Sequence, residues 1–182
     1  MKRLIIIALA VGVALSFSSG VRAADSTKVA AKAPGKADTL KWAEAHFKYV
    51  GETKCKMCHK QQYDSWATTK HAKAWASLKP EEQKKAECVE CHVTGKTASD
   101  SLLVNVACEA CHGPGSDYKA SAKMKDVKLA AAAGLLAVNE ATCVRCHNAK
   151  SPTFKSFEFA KAKETGVHKH FPKVPPTTAP TK

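Results

Sequence analysis

All eight cysteines of the 182-residue chain fall in four pairs with two residues between them: Cys55/Cys58, Cys88/Cys91, Cys108/Cys111 and Cys143/Cys146. A histidine follows each pair directly (His59, His92, His112 and His147), so the four segments read CKMCH, CVECH, CEACH and CVRCH. Two thiols three positions apart on a helical turn can form thioether bonds to the two vinyl groups of one porphyrin. The adjacent imidazole then faces the iron and supplies an axial ligand. Four such motifs imply four covalently attached c-type haems. Zinc also uses paired cysteines, but it does not require a histidine after every pair. Disulfides would suit an oxidising compartment, yet disulfide frameworks do not usually repeat one spacing four times and leave no cysteine over.

Four further histidines are available as second axial ligands: His46, His71, His168 and His170. His71 is the best candidate. It stands in WATTKHAKA with Trp75 and Leu78 on the same helical face, an imidazole among apolar residues beside a haem motif. One of His168 and His170 is expected to ligate; on a helix, residues two apart point to different sides. His46 lies on the helical segment before the first motif. Its tether, residues 47–54, spans about 25 Å when extended at ~3.3 Å per residue, enough to reach another haem. Met124 is an alternative ligand, of the kind found in high-potential cytochromes, although most methionines are apolar filler.

The elements that must position these residues are helical. The spacing predicts a helix over residues 39–49, with Leu40, Ala43 and Phe47 on one face, and largely helical chain over 55–78 with a break near Asp64 and Ser65. Pro80 with Glu81 and Glu82 opens a helix that runs into the second motif. Gly113-Pro114-Gly115 forces a turn after the third motif. Residues 121–137 form one alanine-rich helix or two around Gly134, and Asn139 caps the helix holding the fourth motif. No alternating strand pattern of any length is visible. Aromatic residues make up only 7% of the chain, and much of its 45% hydrophobic content is alanine and cysteine. Such a chain needs something besides its own side chains to fill its interior. The expected fold class is therefore mostly α: a multihaem cytochrome c with long loops, a haem-filled core and little or no sheet.

Residues 1–23 read as a signal peptide. Met1-Lys2-Arg3 is positive, residues 4–17 are apolar but shorter than the ~20 residues of a membrane span, and Val21-Arg22-Ala23 offers a cleavage site. An uncleaved anchor is the alternative, and the run is short for one. No cysteine precedes Cys55, so there is no lipoprotein attachment site. The expected organisation is then a flexible lead at 24–38, a tetrahaem cytochrome domain at 39–171 and a disordered Pro/Thr-rich tail at 172–182. The mature chain is expected to be periplasmic and not membrane-spanning. Removal of Lys2, Arg3 and Arg22 leaves 26 basic against 16 acidic residues. Eight haem propionates would cancel most of that excess. A nucleic-acid role, the naive reading of so basic a chain, is set aside because export removes the partner; a lysine-rich face that steers acidic redox proteins fits better.

CKMCHKQQYDSWATTKHAKAWASLKP, CVECHVTG, CEACHGPGSDY and the late VHKHF resemble the cytochrome c-554 family, over about residues 51–171. The resemblance implies a mostly helical fold with stacked haem pairs, three bis-histidine haems and an open distal side on the second haem. It also implies that His71 reaches the third haem and His168 the first. The expected partners are a redox protein donor and acceptor, among them a hydroxylamine oxidoreductase-like enzyme or a membrane quinol-linked cytochrome. Two departures stand out. The family histidine that follows Gly-Pro-Gly and ligates the fourth haem has no counterpart here, where Ala122 stands at about its place; His46 is the candidate replacement. The loops after the second and fourth motifs are also shorter. The expected function is electron transfer between a donor and an acceptor protein by haem-to-haem hopping. The alternative is a small reductase acting on nitric oxide, nitrite or hydroxylamine at an open haem. A structural role, as a haem-bearing polymer subunit, leaves no recognisable trace.

Overall fold

The computed structural model describes residues 39–171. The signal peptide, lead and tail expected at 1–23, 24–38 and 172–182 lie outside the described residues. The described part is mostly helical, and its helices are short: α1 Thr39–His46, α2 Glu52–Lys56, α3 Lys60–Ala67, α4 Ala86–His92, α5 Cys108–His112, α6 Ser121–Met124, α7 Val127–Ala132, α8 Glu140–Val144 and α9 Phe159–Thr165. Single 3-10 turns at His71–Lys73, Trp75–Ser77 and Glu82–Lys84 link α3 to α4. The chain thus breaks at His59 and again after Ala67, not at Asp64-Ser65 as the periodicity predicts. The helix expected from Pro80 shrinks to one 3-10 turn, and the helix of the second motif starts afresh at Ala86.

Local chemistry explains several of these ends. Asp126 Oδ1 accepts from the N–H groups of Lys128 and Leu129 at 2.8 and 3.0 Å, so this N-cap, and not Gly134, divides the alanine-rich stretch into α6 and α7. Asn139 and Thr142 form a capping box at the start of α8, as its sequence predicts. Gly113, at φ 80°, ends α5 in the left-handed conformation that favours glycine. The sheet is a single antiparallel pair, β1 Val93–Lys96 with β2 Leu102–Val104, pairing Val93 with Val104, Gly95 with Leu103 and Lys96 with Leu102. Strands of four and three residues are too short to declare themselves by alternation.

The apolar core is slight. Among the described residues the buried hydrophobics are Ala43, Ala74, Ala107, Tyr118, Ala130 and Ala133. The last three cluster with Met124 and Leu135. Polar groups carry much of the joining. The carboxylate of Glu109, which is 1% exposed, sits between three backbone N–H groups. Its Oε1 accepts from Gly115 at 2.6 Å and Val50 at 3.0 Å, and its Oε2 from Gly51 at 2.7 Å and Val50 at 3.1 Å. One side chain inside the third motif thereby fixes both the strand of chain entering the first motif and the turn leaving the third. Thr94 acts similarly in the hairpin, donating to Asn105 O at 2.8 Å and accepting from Ala107 N at 2.9 Å.

Two substitutions test this account in the haem-loaded protein by guanidinium denaturation. Glu109→Ala orphans three backbone N–H groups, those of Gly51 and Gly115 buried and that of Val50 partly so, and hydrogen bonds to a charged acceptor contribute about 1.5–3 kcal/mol each. A loss of at least ~3 kcal/mol is expected, with Glu109→Gln losing less because one oxygen remains. A loss under ~1 kcal/mol for the alanine variant would contradict the assigned role. Gly113→Ala places a Cβ 2.7 Å from Gly134 O and 2.9 Å from Leu136 Cγ at a positive φ. It should cost about 1–3 kcal/mol, whereas Ala122→Gly on exposed α6 should cost no more than ~1 kcal/mol.

Candidate haem-attachment sites

Each motif is a helical turn, as its chemistry requires. The His59 N–H bonds Cys55 O at 2.9 Å and the His147 N–H bonds Cys143 O at 3.0 Å, the four-residue closure that sets cysteine and histidine on one side. The second motif occupies the end of α4, and the third is the whole of α5. All eight cysteines are free thiols, so their sulfurs stand in for the thioether sulfurs of a haem-bearing chain.

The motifs meet in an order that their sequence positions do not reveal. The Cys55 and Cys108 thiols are neighbours, and their interaction pushes Cys55 well up, helped by burial, and pulls Cys108 down against its own burial. Burial, with Cys91 beside it, pushes Cys146 up to about 12. Burial likewise raises Cys111, which also feels Cys143. First therefore adjoins third, third adjoins fourth, and fourth adjoins second. Arg145, inside the fourth motif, reinforces the middle junction by donating from Nη2 to Ala110 O of the third at 2.5 Å.

Cys58 departs from what the sequence leads one to expect. A cysteine that attaches haem should be sheltered like its partner, yet Cys58 is the one exposed cysteine of the eight, while Cys55 is half-buried. The reason lies in its place. α2 stops at Lys56, so Cys58 stands in the turn beyond it, next to the exposed Met57. The first motif is also an end of the series, where contact with the third motif shelters the Cys55 sulfur and leaves Cys58 on the outer side. The backbone still closes as the motif demands, with the Cys58 N–H on Cys55 O at 3.2 Å. Cys58 thus keeps the spacing for a second thioether but not the protein cover expected around it.

Two of the candidate ligands face motif histidines. The His71 and His147 rings are 5.9 Å apart between centroids at 70°, and the His112 and His168 rings 6.3 Å apart at 25°. Two imidazoles on opposite sides of one metal, with metal–nitrogen bonds of about 2 Å, have centroids roughly 6 Å apart. The partners differ from those the family resemblance implies: His71 meets the fourth motif, not the third, and His168 meets the third, not the first. The reason is visible in the backbone. His71 O accepts from Val106 N, which pins the residue beside the third motif, but its ring lies 5.9 Å from that of His147. Phe157 stacks on the other flank of His147 at 5.0 Å.

The protonation of these rings suits ligation. Burial holds His112 down to about 4, with His168, His59 and His170 adding repulsion. Burial and His147 lower His71. Both rings are neutral at neutral pH, the form that binds metal. His92 Nδ1 lies 2.7 Å from Ala74 O, and His168 Nδ1 lies 2.9 Å from Lys169 O. A carbonyl only accepts, so each Nδ1 carries the proton and leaves Nε2 with its lone pair for a metal.

The structure does not bring His46 to a motif. It sits exposed in the last turn of α1, its Nδ1 donating to Trp42 O at 2.7 Å and its ring 5.2 Å from Trp42 and 6.3 Å from Phe47. The cause is how α1 packs. Ala43 is buried, and Phe47 lies so close over Gly134 that a Cβ there would meet its ring at 2.5 Å, which leaves His46 facing outward. Met124 is likewise absorbed elsewhere, against Tyr118, Ala130 and Ala133. His168 and His170 do not lie on a helix: α9 ends at Thr165, and their rings are 5.4 Å apart. Glu109, Arg145 and Phe157 were missed from the sequence; the charged residues set between motif cysteines were the one available signal.

The residues fit covalent haem. Four helical turns carry paired thiols and a histidine, two of those histidines face a second imidazole, and the protein's own core is small. No group of three or more His, Cys, Asp or Glu among the described residues could hold a metal ion by itself, which a four-ligand zinc site would require. No described helix is long and apolar enough to cross a membrane.

Comparisons with known proteins agree. Residues 54–113, the span of the first three motifs, match the family model described as cytochrome c554 and c-prime. Cytochrome c-554 of Nitrosomonas europaea is 37% identical in a 95-residue alignment covering 39% of this chain and 40% of that protein, so the match spans well under half of the curated relative. The solved structure of reduced cytochrome c554 from Nitrosomonas europaea superposes with a TM-score of 0.54 at 28% identity, covering 68% of this chain and 86% of the other. By motif, by local sequence and by fold, the chain is similar to cytochrome c-554, and its four CxxCH turns suit covalent attachment of c-type haem.

Proposed function

We propose that this chain is a periplasmic electron carrier with four c-type haems. The observation that supports this most directly is the way the motifs are tied together: Glu109 of the third accepts from Gly51 N, just ahead of the first, at 2.7 Å, and Arg145 of the fourth donates to Ala110 O of the third at 2.5 Å, with Cys146 of the fourth beside Cys91 of the second. A bound haem supplies a one-electron couple. The chain's own residues attach it through two sulfurs, hold it through imidazoles and keep neighbouring sites abutted, which shortens each electron step. His147 with His71, and His112 with His168, are the axial pairs this reading assigns. Bis-imidazole ligation suits a carrier, since both faces of the iron are closed to other ligands. Partners would be redox proteins, met through a surface rich in lysine on a chain of 29 basic and 16 acidic residues. Nothing in the comparisons favours the reductase alternative.

The haem content is tested by mass. Protein made in a host competent for cytochrome c maturation should carry four haems that resist acid–acetone extraction; a mass short of four would overturn the count. His71→Ala should keep the full haem mass, because thioether bonds do not involve it, while one further iron becomes high-spin by electron paramagnetic resonance. A spectrum unchanged from wild type would remove His71 from the ligand set.

A further inference from the structure

We propose that His170 is an axial ligand in its own right: the triplet His168-Lys169-His170 serves two irons, the third motif's through His168 and the first motif's through His170. This rests on the reading that the first and third motifs both carry haem.

The argument begins with numbers. The chain has eight histidines. Four belong to the motifs, His46 faces outward, His71 faces His147, and His168 faces His112. His170 is the one histidine left, and the first and second motifs are the ones without an assigned partner.

Geometry selects the first. After α9 the chain carries no helix at 168–171. In extended chain, residues i and i+2 point to one side, and the His168 and His170 rings are accordingly neighbours at 5.4 Å. Lys169, between them, is pinned: its N–H donates to Ser65 Oγ at 2.9 Å. Ser65 belongs to α3, which begins at Lys60, the residue after His59. The triplet is thus tied by its middle residue to the helix that continues the first motif. The two target sites are also one place. Glu109 of the third motif accepts from Gly51 N, four residues before Cys55, at 2.7 Å, and the His168 ring next to His170 lies 6.3 Å from that of His112. Exposure of His170 does not count against it, since His147, fixed by its motif, is exposed as well. No comparable tie leads from the triplet to His92, whose Nδ1 is bound to Ala74 O on another segment.

The test compares haem-loaded wild type with His170→Ala, His168→Ala and the double variant, by mass and by electron paramagnetic resonance. All four proteins should carry the same haem mass. Wild type should show one high-spin iron, each single variant two and the double variant three. Added imidazole should return the extra iron of His170→Ala to low spin, which a general loosening of the fold would not allow. Full haem mass with a His170→Ala spectrum equal to wild type overturns the proposal and leaves the carrier reading intact. A wild-type mass lacking the first or third haem overturns both.

Discussion

The chain has too little apolar side chain to hold itself together. Five of its six buried hydrophobic residues, among those described, are alanines, and the largest fully buried side chains are Glu109 and Pro114. A buried methyl group contributes little: full burial of a Val, Leu, Ile or Phe side chain is worth about 1.5–3 kcal/mol, and an alanine a fraction of that. Much of the rest must come from covalently attached haem, whose apolar faces supply the surface that the side chains lack. That constraint accounts for the short helices. The helices at the motifs need not present a long stripe to a partner helix, because each motif turn is organised about two sulfurs and an imidazole.

Without a broad apolar core, buried hydrogen bonds must set the relative placement of the motifs. Glu109 shows how. Burial pushes its carboxyl above the usual range, and three backbone N–H groups pull it back. A lone buried carboxylate would be costly, but one that receives donors on both oxygens becomes a rigid joint. Trp66 plays a related part at the other side of the third motif, donating from Nε1 to Val106 O at 2.8 Å. His71 also reaches this loop, through its backbone. The residues that hold the motifs and those that face the irons are therefore interleaved along the same few segments.

The attachment chemistry was legible in the sequence because covalent bonding to one porphyrin imposes a local, unvarying spacing. The caps at Asn139 and the turn at Gly113 were legible for the same reason: each depends on residues only a few positions apart. The order in which the motifs meet was not, since it depends on contacts such as Cys146 with Cys91, far apart in the chain. The exposure of Cys58 was hidden for the same reason, because spacing fixes where a sulfur sits on its turn and not what covers it. The hairpin escaped notice because seven residues give no usable period. The outward position of His46 was not legible, because tether length limits only reach, whereas the packing of Phe47 on Gly134 decides direction. The placement of His71 was not legible either, because its backbone bonds Val106 while its ring lies beside His147, and a sequence motif specifies only the residue.

The two residues between each pair of cysteines explain why Glu109 and Arg145 were overlooked. Successive side chains on a helix are about 100° apart. The first cysteine, second cysteine and histidine of a motif therefore share one side, and the two residues between them turn towards the other. They cannot touch the haem that their own cysteines hold, so they are available to the rest of the protein. In the first motif that freedom reaches no other motif: Lys56 Nζ lies 4.5 Å over the Tyr63 ring of the next helix, and Met57 is 78% exposed. In the third and fourth, Glu109 binds the lead into the first motif and Arg145 binds Ala110. These are also the two motifs with two motif neighbours each. The spacer positions of CxxCH are thus where a chain with little core can write the arrangement of its haems, and they carry polar side chains where the series needs joining.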